Sequence, residues 1–229
     1  MIFFVTGTDT DSGKTAVSAA LLHKARTFHG MRTLGIKPVA SGCERTADGL
    51  RNSDAQLLMS ESSLQLDYDR INPFTFEPAI APHVAAEDSG IDISPEAILS
   101  SLDFTQFSVA DFCLMEGAGG WRLPLGDNRY LSEVVSALGI SVIIVVNMRL
   151  GALNHALLTR DAILADGLQV AGWVANNTGP QMQRYQENLI SLKEMMAAPF
   201  LGEVPYLEDF SVANVAEYLD LAPLLTSKA

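Results

Sequence analysis

Cysteine is scarce in this sequence: Cys43 and Cys113 are the only two among 229 residues, and no Cys-x-x-Cys pair occurs. That excludes the thiolate set of a structural zinc site and the cross-linked framework of a small secreted domain. Positive charge is scarce too, with 15 Lys and Arg against 27 Asp and Glu and a formal net charge of -12. Such a surface repels phosphate backbones and anionic lipid, so no nucleic acid and no membrane is expected as a partner. Long apolar runs are missing. The most apolar stretch, residues 142–146, falls far short of the roughly 20 residues a membrane span needs. The apolar residues 2–5 have no basic residue before them, so they read as a strand and not as a signal peptide. Repeats, low-complexity tracts and linker-like shifts in composition are absent as well. What remains is the expectation of a soluble, cytoplasmic protein with residues 1–229 as a single domain.

Apolar residues are plentiful, at 48% against 18% charged, enough for a core on both faces of a sheet. Short apolar runs occur at residues 2–5, 34–37, 112–115, 142–146, 170–175 and 200–204. Several are apolar at consecutive positions, the pattern of strands covered on both sides. Helical patterns lie between them at 14–29, 131–138, 154–166 and 181–196, and Gly30 and Gly167 follow the first and third as stop signals. Strand and helix in alternation predict an α/β fold: one doubly wound, mostly parallel sheet with helices on both faces. Its ligands bind at the carboxyl ends of the strands. Residues 43–111 carry several prolines and read as a less regular elaboration over that edge. Cys113 reads as strand core and Cys43 as part of a loop near the site.

Gly7-Thr8-Asp9-Thr10-Asp11-Ser12-Gly13-Lys14-Thr15 follows the first strand and leads into the first helical pattern. This is the context of a phosphate-binding loop of the P-loop NTPase type. Backbone N–H groups of Asp11, Ser12, Gly13 and Ala16 converge with the helix N-terminus on phosphate oxygens. Lys14 reaches the β- and γ-phosphates, and the Thr15 hydroxyl ligates Mg²⁺, so ATP and Mg²⁺ are the expected cofactors. Five residues separate Gly7 from Gly13, where the common pattern has four.

That extended loop resembles the dethiobiotin synthetases, and further segments agree in order along the chain. They are Lys37-Pro38-Val39-Ala40-Ser41-Gly42, Arg51-Asn52-Ser53-Asp54, Glu116-Gly117-Ala118-Gly119-Gly120-Trp121, Gly151-Ala152-Leu153-Asn154-His155-Ala156 and Ala171-Gly172-Trp173-Val174-Ala175-Asn176. The resemblance implies closure of a ureido ring on 7,8-diaminononanoate with CO2 and ATP, in biotin synthesis. It implies Lys37 and Lys14 as catalytic groups, and Thr10, Lys37 and Ser41 as substrate contacts. Thr15, Asp54 and Glu116 become the metal ligands, and Glu116, Gly117, Ala118 and Gly119 line the nucleotide. Asn176, Asn177, Pro205, Tyr206 and Leu207 take the base. Gly151, Leu153 and Asn154 reach across a twofold axis to the neighbour's substrate carboxylate, which implies a homodimer with composite sites.

Taken singly, some of these residues have plainer readings. Asp54 by its spacing caps a helix, Asn176 can do the same, and Lys37 can be a solvated lysine closing a strand. Asp11-Ser12 replaces the family's commoner Glu-Val, and residues 208–214 do not obviously match the family's acidic contact on the base side. His23, His29 and His83 are expected to be structural or surface residues. Trp173 is expected in the core, while Trp121 can line the site. Two other functions compete: an amidating synthetase of the P-loop group, and a partitioning or membrane-switch ATPase. The first needs a glutaminase nucleophile that neither cysteine's surroundings supply. The second carries an extra lysine early in the loop, where this sequence has none.

Overall fold

All six expected apolar runs become strands of one sheet in the computed structural model, which describes residues 1–226. They are β1 (Ile2–Gly7), β2 (Thr33–Ile36), β3 (Phe112–Gly120), β4 (Ser141–Asn147), β5 (Val170–Asn176) and β6 (Phe200–Val204). Their spatial order is β6-β5-β4-β1-β3-β2, and every pairing is parallel. The chain runs to one side of β1 for β2 and β3, then to the other for β4 to β6. The strand order therefore reverses beside β1, and that is where an open parallel sheet binds ligands.

Both faces are buried, which accounts for the unbroken apolar runs. Ile143 and Val145 of β4 join Phe3, Val5, Leu114 and Val174 in one core, against Val17, Leu21 and Leu22 of α1 (Lys14–His29). Val142, Ile144 and Val146 join Leu34, Ile36, Met115 and Trp173 in the other. Trp173 is fully buried, and its ring lies 4.7 Å from that of Phe200.

Residues 43–111 are more regular than expected. They hold α2 (Ser53–Glu61), a one-turn helix at Tyr68–Ile71, α3 (Pro82–Ser89) and short helices at Pro95–Ser101 and Phe104–Val109. Prolines begin two of these helices. A proline at the first helical position loses no hydrogen bond and brings its φ preset, so the prolines start structure here instead of breaking it. Val39–Ser41 pairs in parallel with Phe74–Phe76 and ties this segment to the end of β2.

Two helix boundaries shift. The helix expected at 154–166 is α5 (Ala152–Ala165), following α4 (Leu131–Leu138). The helix expected from 181 starts later as α6 (Tyr185–Met195), because Arg184 takes a left-handed φ of 56° just before it. Among the described residues, no helix is long and apolar enough to cross a membrane.

Gly202 holds β6 against the C-terminal segment. Its φ is +147°, and a Cβ there would stand 2.0 Å from the Tyr218 carbonyl oxygen. The Asp220 N–H donates to the Leu201 carbonyl at 2.6 Å in the same contact. Gly202→Ala is expected to cost about 1–3 kcal/mol by forcing backbone apart. Urea denaturation checks this, and an unchanged midpoint would show that the segment yields freely.

Candidate active site

The loop between β1 and α1 is held from several sides. The Thr8 N–H donates to the Val145 carbonyl at 3.0 Å, and the Thr8 hydroxyl accepts from the Asn147 N–H at 3.1 Å. The Lys14 ammonium donates to the Asp9 carbonyl at 3.2 Å, folding the side chain back over the loop. Arg149 pairs with the Asp9 carboxylate from the segment after β4. Gly13 takes a left-handed φ of 80° at the start of α1, and no side chain caps that helix. The first-turn N–H groups are left for an anion. Gly13 is sterically required too. A Cβ would lie 2.0 Å from Asn176 Nδ2, and that amide donates to the Ser12 carbonyl at 2.8 Å.

Asn176 thus stands at the end of β5, buried beneath the phosphate loop, and caps no helix. Asn177 donates to the Tyr185 hydroxyl at 3.0 Å and to the Val204 carbonyl at 3.2 Å. Its own Oδ1 is buried without a partner among the described residues. Tyr206 is exposed, with Pro205 and Leu207 half-buried beside it.

Lys37 follows β2 directly and is 3% exposed, so the solvated reading fails. Its ammonium donates to Glu116 Oε1 and to Asp54 Oδ2, each at 2.7 Å. Glu116 lies midway along β3, registered against Val5 of β1, and its side chain is fully buried. The Thr15 hydroxyl donates to the same Glu116 Oε1 at 2.9 Å. Glu116 Oε2 is buried with no partner among the described residues. Asp54 sits in the first turn of α2 but does not cap it. Asn52 is the cap, its Oδ1 accepting from the Ala55 N–H at 3.2 Å. Asp54 is therefore free to face Lys37.

The electrostatics follow from this packing. Burial opposes the charge on Lys37, but Glu116 and Asp54 outweigh it and its pKa is raised above the usual lysine value. For Asp54 burial favours the acid, yet Lys37 prevails by charge and hydrogen bond and the pKa is lowered. Burial lowers the pKa of Lys14, and Lys37 adds to the effect against the pull of Glu116.

A cleft of about 860 Å³ opens over this cluster. Thr10, Asp11, Gly13, Lys14, Thr15, Lys37, Ser41, Asp54, Ala118 and Gly119 line it, as expected site residues brought together by the fold. Ser12, Ala16, Glu116 and Gly117 are not part of this lining, Ser12 and Glu116 being fully buried. Gly151, Leu153 and Asn154 are at the start of α5, outside this lining. Asn52 and the stretch Ala79–Ile80–Ala81–Pro82 also line the cleft, and no motif flagged the latter. Their signal was only an apolar segment ending in the proline that begins α3. Trp121 turns away: it packs edge-on against Phe4 at 5.9 Å, and its Nε1 donates to Asp166 at 2.8 Å. Cys43 and Cys113 are both free and buried. His23 pairs with Glu61 and His29 is exposed, while His83 Nδ1 is buried without a partner among the described residues.

A family model described as an AAA domain matches residues 2–214. The ATP-dependent dethiobiotin synthetase BioD of Pseudomonas paraeruginosa is 53% identical over 222 residues, covering 97% of both chains. That of Cellvibrio japonicus is 48% identical over 223 residues, again covering 97% of both. Among solved structures, the septum site-determining protein MinD of Pyrococcus horikoshii, complexed with Mg-ADP, is 16% identical with a TM-score of 0.55. It covers 99% of this chain and 90% of its own. A ParA family ATPase of Chlorobium tepidum is 12% identical with a TM-score of 0.56, covering 99% and 93%. The last two likenesses extend to the fold alone.

Lys37 and its carboxylates make a linked set whose stability depends on pH in two directions. Asp54, with its lowered pKa, contributes above its unfolded value of 3.8, and that contribution is lost as pH falls through the lower folded value. Lys37, with its raised pKa, contributes below 10.5, and that is lost as pH rises through the higher folded value. Lys37→Met leaves the buried Glu116 without its ion-pair partner and is expected to cost about 3–5 kcal/mol at neutral pH. Pairing it with Glu116→Gln should recover part of the loss. Urea titrations of the two variants test this, and equal losses in both would rule out the buried charge as the cause.

Proposed function

The chain belongs to the ATP-dependent dethiobiotin synthetase family, and from that premise we propose how its site carries out the reaction. It is an ATP-using enzyme that closes a ring in biotin synthesis. One amine of 7,8-diaminononanoate adds to CO2 and sheds a proton, giving a carbamate. A carbamate oxygen then attacks the γ-phosphorus of ATP, releasing ADP and leaving a carbamic–phosphoric mixed anhydride. The second amine attacks the carbamoyl carbon, phosphate departs with the C–O electron pair, and loss of that amine's proton leaves the neutral, closed ureido ring.

The observation that carries this reading is the Lys37 ammonium, buried in the cleft lining with two carboxylates at 2.7 Å and Lys14 in the same lining. A free alkyl amine has a pKa near that of lysine, about 10.4, so presenting the neutral nucleophile at neutral pH costs roughly 4 kcal/mol. Two nearby cations disfavour the ammonium form and favour the carbamate anion. Lys37 stabilises that anion and the charge passing to the phosphoryl group, while Lys14 holds the β- and γ-phosphates. Thr10 and Ser41 position the diamine. The Ser41 hydroxyl, buried and without a partner among the described residues, supports a polar ligand at that wall.

Thr15, Asp54 and Glu116 are hard oxygen donors suited to Mg²⁺, and Glu116 Oε2, without a partner among the described residues, supports a cation there. When bound, Mg²⁺ neutralises charge on the phosphates. Asp11, Ser12, Gly13, Ala16, Gly117, Ala118 and Gly119 surround the phosphates, and Asn176, Asn177, Pro205, Tyr206 and Leu207 form the base side.

Gly151, Leu153 and Asn154 serve a neighbouring subunit's substrate carboxylate in a homodimer with composite sites. Two observations support this. These residues lie outside their own chain's cleft lining, and Leu150 and Leu158 beside them are 95% and 60% exposed. The functional unit is residues 1–229 as a single P-loop domain, and the buried free thiols suit the reducing cytoplasm.

Incubation with ATP, Mg²⁺, bicarbonate and the diamine, followed by mass spectrometry, should yield the cyclic urea. ATP hydrolysis that ignores the diamine and yields no urea would defeat the ligase reading and favour a switch ATPase. Lys37→Ala should lower kcat by about 10²–10³-fold, while ATP affinity changes only slightly, measured below the variant's unfolding transition. Undiminished turnover would make Lys37 purely structural.

A further inference from the structure

The Lys37 carbonyl lies outside the β2 ladder, in a buried residue, and needs a partner of its own. Asn72 supplies it, its Nδ2 donating to the Lys37 oxygen at 2.6 Å. The Lys37 N–H is held from the same side, donating to the Ile71 carbonyl at 2.9 Å. Asn72 is 1% exposed, and its Oδ1 accepts from the Tyr68 hydroxyl at 2.9 Å. That hydroxyl in turn accepts from the Asn52 N–H at 2.7 Å. Asn52 caps α2, two residues before Asp54. A continuous buried chain of hydrogen bonds therefore joins the backbone of Lys37 to the first turn that carries Asp54. Each donor along it points the same way, an arrangement in which the bonds strengthen one another.

We propose that Tyr68 and Asn72 are positioning residues for the reaction: their hydrogen bonds fix the distance between Lys37 and Asp54, and so aim the Lys37 ammonium. Neither residue lines the cleft, so neither touches substrate. The inference rests on the ring-closing role given to Lys37 above. Lys37 ends a strand of the central sheet, whereas Asp54 belongs to the helical elaboration, and the connection between the two elements is long. A lysine side chain has four rotatable bonds and finds its target only if both backbones are held. Val39–Ser41 pairing with Phe74–Phe76 secures the strands farther on, but the Lys37 peptide itself is held by Ile71 and Asn72. Burial raises the Tyr68 phenol above its usual pKa, so it keeps the proton it donates to Asn72.

Tyr68→Phe is the sharp test. The ring keeps its packing against Ala55 and Ile71 and its stack under the Arg51 guanidinium at 4.2 Å, and only the oxygen is lost. Asn72→Ala removes the next link. Steady-state urea formation in both variants, with ATP affinity measured separately and folding checked by thermal denaturation, reads the effect. The expectation is a tenfold or greater fall in kcat, with ATP affinity within threefold of the parent. A kcat within twofold of the parent in Tyr68→Phe overturns the inference, as does a parallel loss of kcat and ATP affinity, which marks a general disturbance. Should Asn72→Ala fail to fold, Tyr68→Phe decides alone. A parent protein that makes no cyclic urea defeats the functional reading instead, which separates the two failures.

Discussion

The buried ion pair between Lys37 and Glu116 is the constraint around which the site is built. Glu116 is fully buried in the middle of a parallel strand, where an isolated carboxylate would cost several kcal/mol of lost hydration. The Lys37 ammonium at 2.7 Å offsets that cost and shares itself with Asp54. Thr15 adds a hydroxyl to the same oxygen. Four residues from four separate stretches of chain thus meet because one buried charge has to be satisfied. The arrangement concentrates cationic and anionic groups beneath a cleft without filling it.

The sheet order makes that meeting possible. β3 lies between β1 and β2, so the phosphate loop after β1, Glu116 midway along β3 and Lys37 at the end of β2 stand side by side. The reversal of strand order beside β1 leaves room above the loop for a nucleotide. Asn176, from the far side of the reversal, braces the loop through the Ser12 carbonyl. Rigid strands thereby supply the chemistry, and the elaboration over residues 43–111 supplies Asp54 and the walls. The hydrogen-bonded relay through Asn52, Tyr68 and Asn72 joins these two parts.

Much of this was legible in the residues. The consecutive apolar runs foretold a sheet buried on both faces, and the two cores confirm it. The helix at Lys14–His29 begins at the end of the phosphate loop and stops at Gly30, both points visible in the sequence. Less legible was the segment rich in proline, because a proline that begins a helix and one that breaks a helix look alike until the next turn forms. Asp54 and Asn52 illustrate a further limit. Either can cap a helix, and the fold gives the cap to Asn52 while Asp54 turns to Lys37.

By itself the sequence determined that the protein binds a triphosphate at a strand-to-helix turn. Spacing within one short segment suffices for that, since the loop's backbone N–H groups, Lys14 and Thr15 are neighbours along the chain. Only the tertiary structure decided what stands opposite the loop. Glu116 and Lys37 are 79 residues apart in sequence, yet share a hydrogen bond. Tyr68, Asn72 and the wall at 79–82 carry no motif at all. Their roles come from buried groups that must find partners in space, and no local pattern records which distant residue will answer.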